Sequence, residues 1–467
     1  MSYSSIVRAA SACIAALVLF VSPTLGDPKP LSKEEQAKVD AAIDKGVAFL
    51  KKAQTKNGDW PRRYQGTYLA GQCALPAYAL LESGVPADDP VIQKAAEYLR
   101  EKCKKTCYTY DLGLAILFFD RLGDPKDKAL IKSMALRLIA GQSRTGGWMY
   151  RCLPVKENQE EAFFKCLTEL NNRMLANKSS VEALRDLEVP SAFRLFTVFQ
   201  DPRVFDWEER GDYTQGTGGI PLVGITDNSN TQFAIIGLWA ARRHQVPTDP
   251  VLRLVGERFE RSQLTDGRWL YHGGFGKVTT PMLLTATRSM TCSGLLGLAI
   301  ENSTKAASAG VPEPNRLHPP TLRGLTAMYQ QIGSPNKSFR KRIPQEDLYY
   351  LWSVERVSML YNLPALNDKE WYRWGAEILV ANQTLAGTWP GAAVQREGLR
   401  VPTDFGPAIN AAFALLFLKH SHPMKDLTSK LAIKPELLNE GIARAARGER
   451  LLEKPVTIPS SSNRPFP

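Results

Sequence analysis

Two kinds of apolar pattern alternate along this chain. In one, nearly every position is apolar: residues 66 to 83, 107 to 122, 229 to 245, 287 to 301, 347 to 362 and 405 to 420. In the other, apolar residues recur at i, i+3, i+4 and i+7 beside a charged face: residues 33 to 54, 88 to 102, 126 to 142, 249 to 263, 321 to 332 and 367 to 383. Both are helical periods. A helix apolar all round must be enclosed by others, whereas one with a single apolar stripe turns its far side to water. Six of each, in alternation, predict an all-α fold of six hairpins, each with an apolar inner helix and an amphipathic outer one. The prolines of Gly84-Val-Pro86, Gly123-Asp-Pro125, Gln245-Val-Pro247, Leu363-Pro364 and His422-Pro423 stand where inner helices have just ended.

Four outer helices close on one phrase. It reads Gln54-Thr-Lys-Asn-Gly58-Asp-Trp60, Gln142-Ser-Arg-Thr-Gly146-Gly-Trp148, Gln263-Leu-Thr-Asp-Gly267-Arg-Trp269 and Gln383-Thr-Leu-Ala-Gly387-Thr-Trp389. An ordinary helix C-cap needs only the Gly, so four copies at identical spacing mark a repeated supersecondary unit. Gln can reach unpaired carbonyls, Gly can take the exit angle, and Trp can cover the neighbouring helix end.

This phrase resembles the Gln-and-Trp repeat of the terpenoid cyclase and protein prenyltransferase superfamily, over residues 30 to 425 apart from 150 to 226. The resemblance implies a closed α/α toroid and says little about chemistry. The superfamily's reactive groups are missing here. No Asp-x-Asp-Asp acid occurs, since Asp88-Asp89 starts an outer helix. Where prenyltransferases hold zinc, Thr279 to Arg288 and Pro402 to Phe405 offer Asp404 but neither Cys nor His. The Cys-Gly-Glu-Gln thioester string is absent as well. No metal and no cofactor is therefore expected.

The ends and the insertion set the boundaries. Residues 1 to 26 read as a signal peptide: Arg8, an apolar run from Ala9 to Val21, and small residues before Asp27. The run is shorter than a bilayer span, and Cys13 lies within it rather than after it, which argues against a lipoprotein anchor. A periplasmic or secreted protein is expected, with one toroid domain over 27 to 454 and a disordered Pro- and Ser-rich tail over 455 to 467. Residues 150 to 226, with a helix from 157 to 175, then Phe193, Phe196, Phe199 and Phe205, and a glycine-rich exit from Gly211 to Gly224, read as a lid over the cavity ahead of inert decoration.

Export changes how the cysteines read. Six remain after signal removal, an even number where disulfides can form. Cys103 with Cys107 and Cys152 with Cys166 are the local pairs expected, while Cys73 and Cys292 sit among Ala and Leu as buried small hydrophobes. The net charge of +12 is spread along helix faces, concentrated only at Lys102-Cys103-Lys104-Lys105 and Arg340-Lys341-Arg342. No basic stripe interleaved with aromatics points to nucleic acid.

If the inner helices share one direction, their N-termini converge on a mouth. Counting back equal distances from the prolines aligns Leu69, Tyr108, Asn230, Asp347 and Gly406, with Arg288 in the same column and Asp111, Asp227, Asn228 and Asp404 nearby. Catalytic candidates are Asp111, Arg288, Asp347 and His272; ligand-binding candidates are Tyr108, Asn228, Asn230 and Asp404. Asp227, Asp347 and Asp404 also suit helix N-caps, but Asp111 lies inside its helix and is expected to pair with Arg288 or a Tyr hydroxyl, or to face water. Glu355-Arg356 reads as a buried ion pair ahead of a functional one. Three functions stay open: an exported binder of an apolar or isoprenoid-type ligand, a polysaccharide hydrolase or lyase working with mouth carboxylates, and a structural scaffold. Whether it is an enzyme, and its oligomeric state, are left undecided by the sequence.

Overall fold

The computed structural model describes residues 28–61, 68–176, 179–204, 226–273, 286–309, 318–333, 343–396, 399–431 and 434–449. Residues 1 to 26, where a signal peptide is expected, Phe205, the stretch from Gly211 to Gly224, residues 279 to 285, Arg340-Lys341-Arg342 and residues 455 to 467 lie outside the described residues.

The inner helices are α2 (Gly71–Glu82), α4 (Thr109–Leu122), α8 (Asn228–Ala241), α10 (Arg288–Ala309), α12 (Leu348–Leu360) and α14 (Pro407–Leu418). Each packs on the next, and α14 returns to α2, so the ring is closed. The outer helices are α1 (Lys33–Ala53), α3 (Pro90–Cys103), α5 (Lys128–Ala140), α9 (Asp249–Arg261), α11 (Pro319–Gln331) and α13 (Trp371–Asn382). The α/α toroid is thus present with its predicted partition, for the inner helices are buried on nearly every side. Its tightest inner contact joins α4 and α8, where a Cβ on Gly237 would stand 2.7 Å from the Gly113 Cα. A small antiparallel hairpin, β1 (Ala392–Arg396) with β2 (Leu399–Thr403), leads into α14.

The four phrases are staples, each reaching the outer helix of the following hairpin. The Gln side-chain amide donates to its own Gly carbonyl and to a carbonyl across the joint: Gln54 to Val91 at 2.8 Å, Gln142 to Val251 at 2.9 Å, Gln263 to Pro320 at 2.8 Å. The fourth, Gln383, donates to Ala42 of α1 at 2.8 Å and so fastens the last hairpin to the first. Trp60, Trp148, Trp269 and Trp389 are fully buried, each indole N–H donating to the carbonyl ten residues earlier at 2.7 to 2.8 Å. The glycine is obligatory: at Gly146, with φ of +74°, a Cβ would meet the Leu254 carbonyl oxygen at 2.3 Å. Two joints lack the phrase and use cations instead, with Arg137 donating to the Cys103 and Thr106 carbonyls and Lys369 to those of Tyr329 and Ile332.

Three expectations are corrected by the packing. The insertion's helix and Phe cluster do not cover the mouth: α6 (Glu157–Leu175) lies against the outer helices α5 and α9, and Phe193, Phe196 and Phe199 gather on Phe163 as a satellite core. Apolar rings bury themselves on the nearest apolar wall, here the ring's outside. No disulfide joins Cys103 to Cys107 or Cys152 to Cys166; all are free thiols. Cys103 ends α3 in the core, whereas the Cys107 carbonyl accepts from the Cys152 backbone N–H at 2.7 Å. Beyond the ring, α15 (Lys425–Leu431) crosses the end where inner helices finish, packing on α10 and α12, with Asp426 accepting from the Trp239 indole of α8. α16 (Pro435–Ala446) packs on α11.

Candidate functional site

The inner helices do begin at one end, and that end holds most of the predicted polar residues. Backbone bridges knit its rim, pairing Tyr108 with Arg151, Trp148 with Asp227, and Asp227 with His272. Within it, the carboxylates hold helix starts. Asp227 caps α8, accepting from the Asn230 backbone at 2.6 Å and side chain at 2.7 Å. Asp347 caps α12 through the Tyr349 and Tyr350 N–H groups, and Asp404 accepts from the Gly406 N–H and the Asn410 amide. Asn228 receives the buried Arg258 guanidinium on its side-chain oxygen and donates to Leu270.

Asp111 is also a cap, but of a neighbour. Its side chain crosses to α2, accepts the Gly71 N–H at 2.7 Å, and accepts the Thr106 hydroxyl at 2.8 Å. The expected pairing with Arg288 or a tyrosine is not made, because an orphan N–H at the next helix start lies nearer. Arg288 instead binds Glu346 through two N–H groups at 2.5 and 2.9 Å and stacks on the Tyr350 ring at 4.3 Å. Burial pushes the carboxyls of Asp111 and Asp227 up to about 6, against the opposing pull of their hydrogen bonds, and also raises Asp347. His272 is half-buried with Nδ1 unpartnered; burial, aided by the nearby Arg258 charge, lowers its pKa and keeps the ring neutral.

The feature sequence reading missed is aromatic. Tyr68, Tyr108, Tyr110, Tyr150, Tyr271 and Tyr349 converge at this end, all partly exposed. Tyr68 lies 5.0 Å from Tyr108 and 5.7 Å from Tyr110, ring centre to ring centre, and Tyr150 and Tyr271 share a hydrogen bond at 3.0 Å. The Ser229 hydroxyl ties Tyr110 of α4 to Tyr349 of α12 at 2.7 and 3.0 Å. Just below, Phe233 meets Tyr110, Tyr349 and Trp352, and Phe413 meets Tyr349 and Trp352. Helices that are not ring neighbours, α8 and α12, therefore touch across the lumen through side chains. A signal existed: Tyr150 and Tyr271 each stand two residues after a staple Trp, so the staple delivers both to the same rim.

Deeper in the lumen stands Arg356. Its guanidinium lies 3.7 Å over the Trp352 ring and donates to Gln232 of α8 at 2.8 Å and Ser353 at 3.1 Å. It makes no ion pair with Glu355, contrary to the sequence expectation, because successive residues on a helix point about 100° apart. Glu355 is fully buried, and burial raises its pKa well above the usual carboxylate range.

Among the described residues, no group of three or more His, Cys, Asp or Glu side chains gathers as a metal site, and no helix is long and apolar enough to cross a membrane.

No protein-family profile and no curated protein matches this sequence. Solved structures do. A type II terpene cyclase from Scytonema in complex with merosterolic acid A, its product, is 13% identical with a TM-score of 0.43, covering 84% of this chain and 100% of that one. The structure of a type II terpene cyclase from Scytonema with geranylgeranyl dihydroxybenzoate as substrate is 13% identical with a TM-score of 0.41, covering 86% and 99%. A protein from Actinoplanes is 13% identical with a TM-score of 0.39, covering 82% and 99%. The α/α toroid rests on the closed ring of inner helices itself.

Proposed function

We propose that this chain is an exported toroid that binds an apolar or isoprenoid-type ligand at the aromatic end of its ring. One observation carries the reading: six partly exposed tyrosines at the inner-helix starts lead onto Phe233, Trp352 and Phe413 in the lumen. Rings of this kind offer apolar faces to a hydrocarbon chain while their hydroxyls keep the surface wetted before the ligand arrives. Desolvation raises the phenols of Tyr68, Tyr110, Tyr271 and Tyr349, Tyr68 to about 12, so these four present neutral donors and acceptors. The mouth carboxylates that a polysaccharide hydrolase or lyase would need are engaged in capping helices, which leaves the apolar reading ahead. Export is supported by the pattern of residues 1 to 26.

Calorimetric titration of the full chain with farnesol, compared with Tyr110→Ala and Tyr349→Ala, tests the ligand reading. Saturable binding weakened about tenfold by either change is expected. Absence of saturable binding to the native chain would sink it. Mass spectrometry of the exported protein checks the other half, with Asp27 as the expected first residue.

A further inference from the structure

Burying a guanidinium is costly unless its charge and its N–H groups are met. Arg356 exposes 6% of its surface, and among the described residues it forms no ion pair. Gln232, Ser353 and the Trp352 carbonyl take the Nη2 and Nε donors, but Nη1 has no acceptor. Directly beneath it, the Trp352 indole N–H is fully buried and also lacks one. The unpartnered groups on this face of α12 are thus both donors, and one is a cation, while the unpartnered carboxyl oxygens nearby belong to the adjacent Glu355. The nearest candidate for a counter-charge, Glu355, attracts Arg356 through space but makes no hydrogen bond or ion pair with it, and burial raises its carboxyl well above the usual carboxylate range.

Position sets what could meet these donors. Tyr349, Trp352 and Arg356 occupy one face of α12, with Arg356 two turns, or about 10 Å, further in than Tyr349. Gln232 joins Arg356 to the Tyr349 hydroxyl, and the aromatic tier of Phe233, Trp352 and Phe413 packs on Tyr349 and on the Trp352 ring that carries the guanidinium. We infer that Arg356 is the anion-binding floor of the lumen, receiving the carboxylate or phosphate head of an amphipathic ligand whose hydrocarbon body lies along the aromatic tier. This deepens the ligand reading above and rests on it. A planar guanidinium suits either head, since both present paired oxygens to its fork.

Three probes with one C15 isoprenoid chain separate the questions: farnesol, farnesoic acid and farnesyl monophosphate, each titrated calorimetrically into the full chain and into Arg356→Met and Arg356→Lys. The native chain should bind at least one anionic probe about tenfold or more tighter than the alcohol. Arg356→Met should level the three probes, and Arg356→Lys should keep part of the preference. Whichever anion binds tighter names the head group. Equal affinity for all three in the native chain, or a preference that survives in Arg356→Met, overturns the assignment while leaving the apolar reading intact. If none of the three binds the native chain, both readings fail together. Should Arg356→Met not fold by circular dichroism, the native comparison and Arg356→Lys decide alone.

Discussion

The four staples and the six inner-helix starts are both repeated features, yet one is uniform and the other is not. Each staple has the same residue types and the same bonds, down to an indole N–H within 2.7 to 2.8 Å of the carbonyl ten residues back. At the inner-helix starts, aligned positions hold Leu69, Tyr108, Asn230, Arg288, Asp347 and Gly406. The staples share one mechanical task, locking a hairpin to its successor around a ring that must close, and a geometry that tight leaves one solution. The helix starts need only some cap, so what they carry beyond capping is free to specialise. In a ring of equivalent units, chemistry is to be sought where the units differ.

The sharpest break of this comparison is Trp148→Ala. Loss of a wholly buried ring and its hydrogen bond should cost about 3 to 5 kcal/mol in denaturant melts, with farnesol binding by the folded fraction unaltered. A cost under about 1 kcal/mol would remove the staple from the argument. Next comes pH. Asp111 and Asp227, with folded-state values near 6 against ordinary values near 4, prefer the proton more in the folded state than in the unfolded one. Below pH 4 both states are protonated and nothing is lost; between pH 4 and 6 the unfolded chain ionises while the folded carboxyls keep their protons, so stability falls, and above 6 it levels. Each group accounts for about 2 to 3 kcal/mol of that fall. Asp111→Asn, which keeps an acceptor for the Gly71 N–H, should roughly halve the slope between pH 4 and 6; an unchanged slope would show that Asp111 is not the titrating group.

Gln383→Leu should be milder, about 1 to 3 kcal/mol, through two carbonyls left without a donor. Because its partner Ala42 belongs to the first hairpin, amide exchange should rise in α1 and α13 together, and a rise confined to α13 would show that the ring is not fastened there. Tyr349→Phe, at the mouth, should cost about 1 kcal/mol or less in stability for the lost bond to Ser229. A loss as large as that of Trp148→Ala would erase the distinction between the two regions.

Much of this architecture is written in local pattern. Helical period separated inner from outer helices, because enclosure on all sides and enclosure on one side demand different residues. The Gln-Gly-Trp spacing announced the staples, because a helix exit at positive φ admits Gly and little else. The starts of the inner helices were aligned to within two residues by the prolines at their far ends. What the sequence could not show was how neighbours share groups. Asp111, inside its own helix, proves to cap another, since the orphan N–H of Gly71 arrives from forty residues away. Cys103 and Cys107, close in sequence, are separated because one ends a helix in the core while the other pairs its backbone with Cys152. The Phe-rich insertion found its apolar wall outside the ring, on α5 and α9. Arg356 and Gln232 meet across the lumen though far apart in the chain. Local pattern fixes which face of each helix is buried; only closure of the ring decides which polar groups are buried together, and therefore which of them still lack a partner.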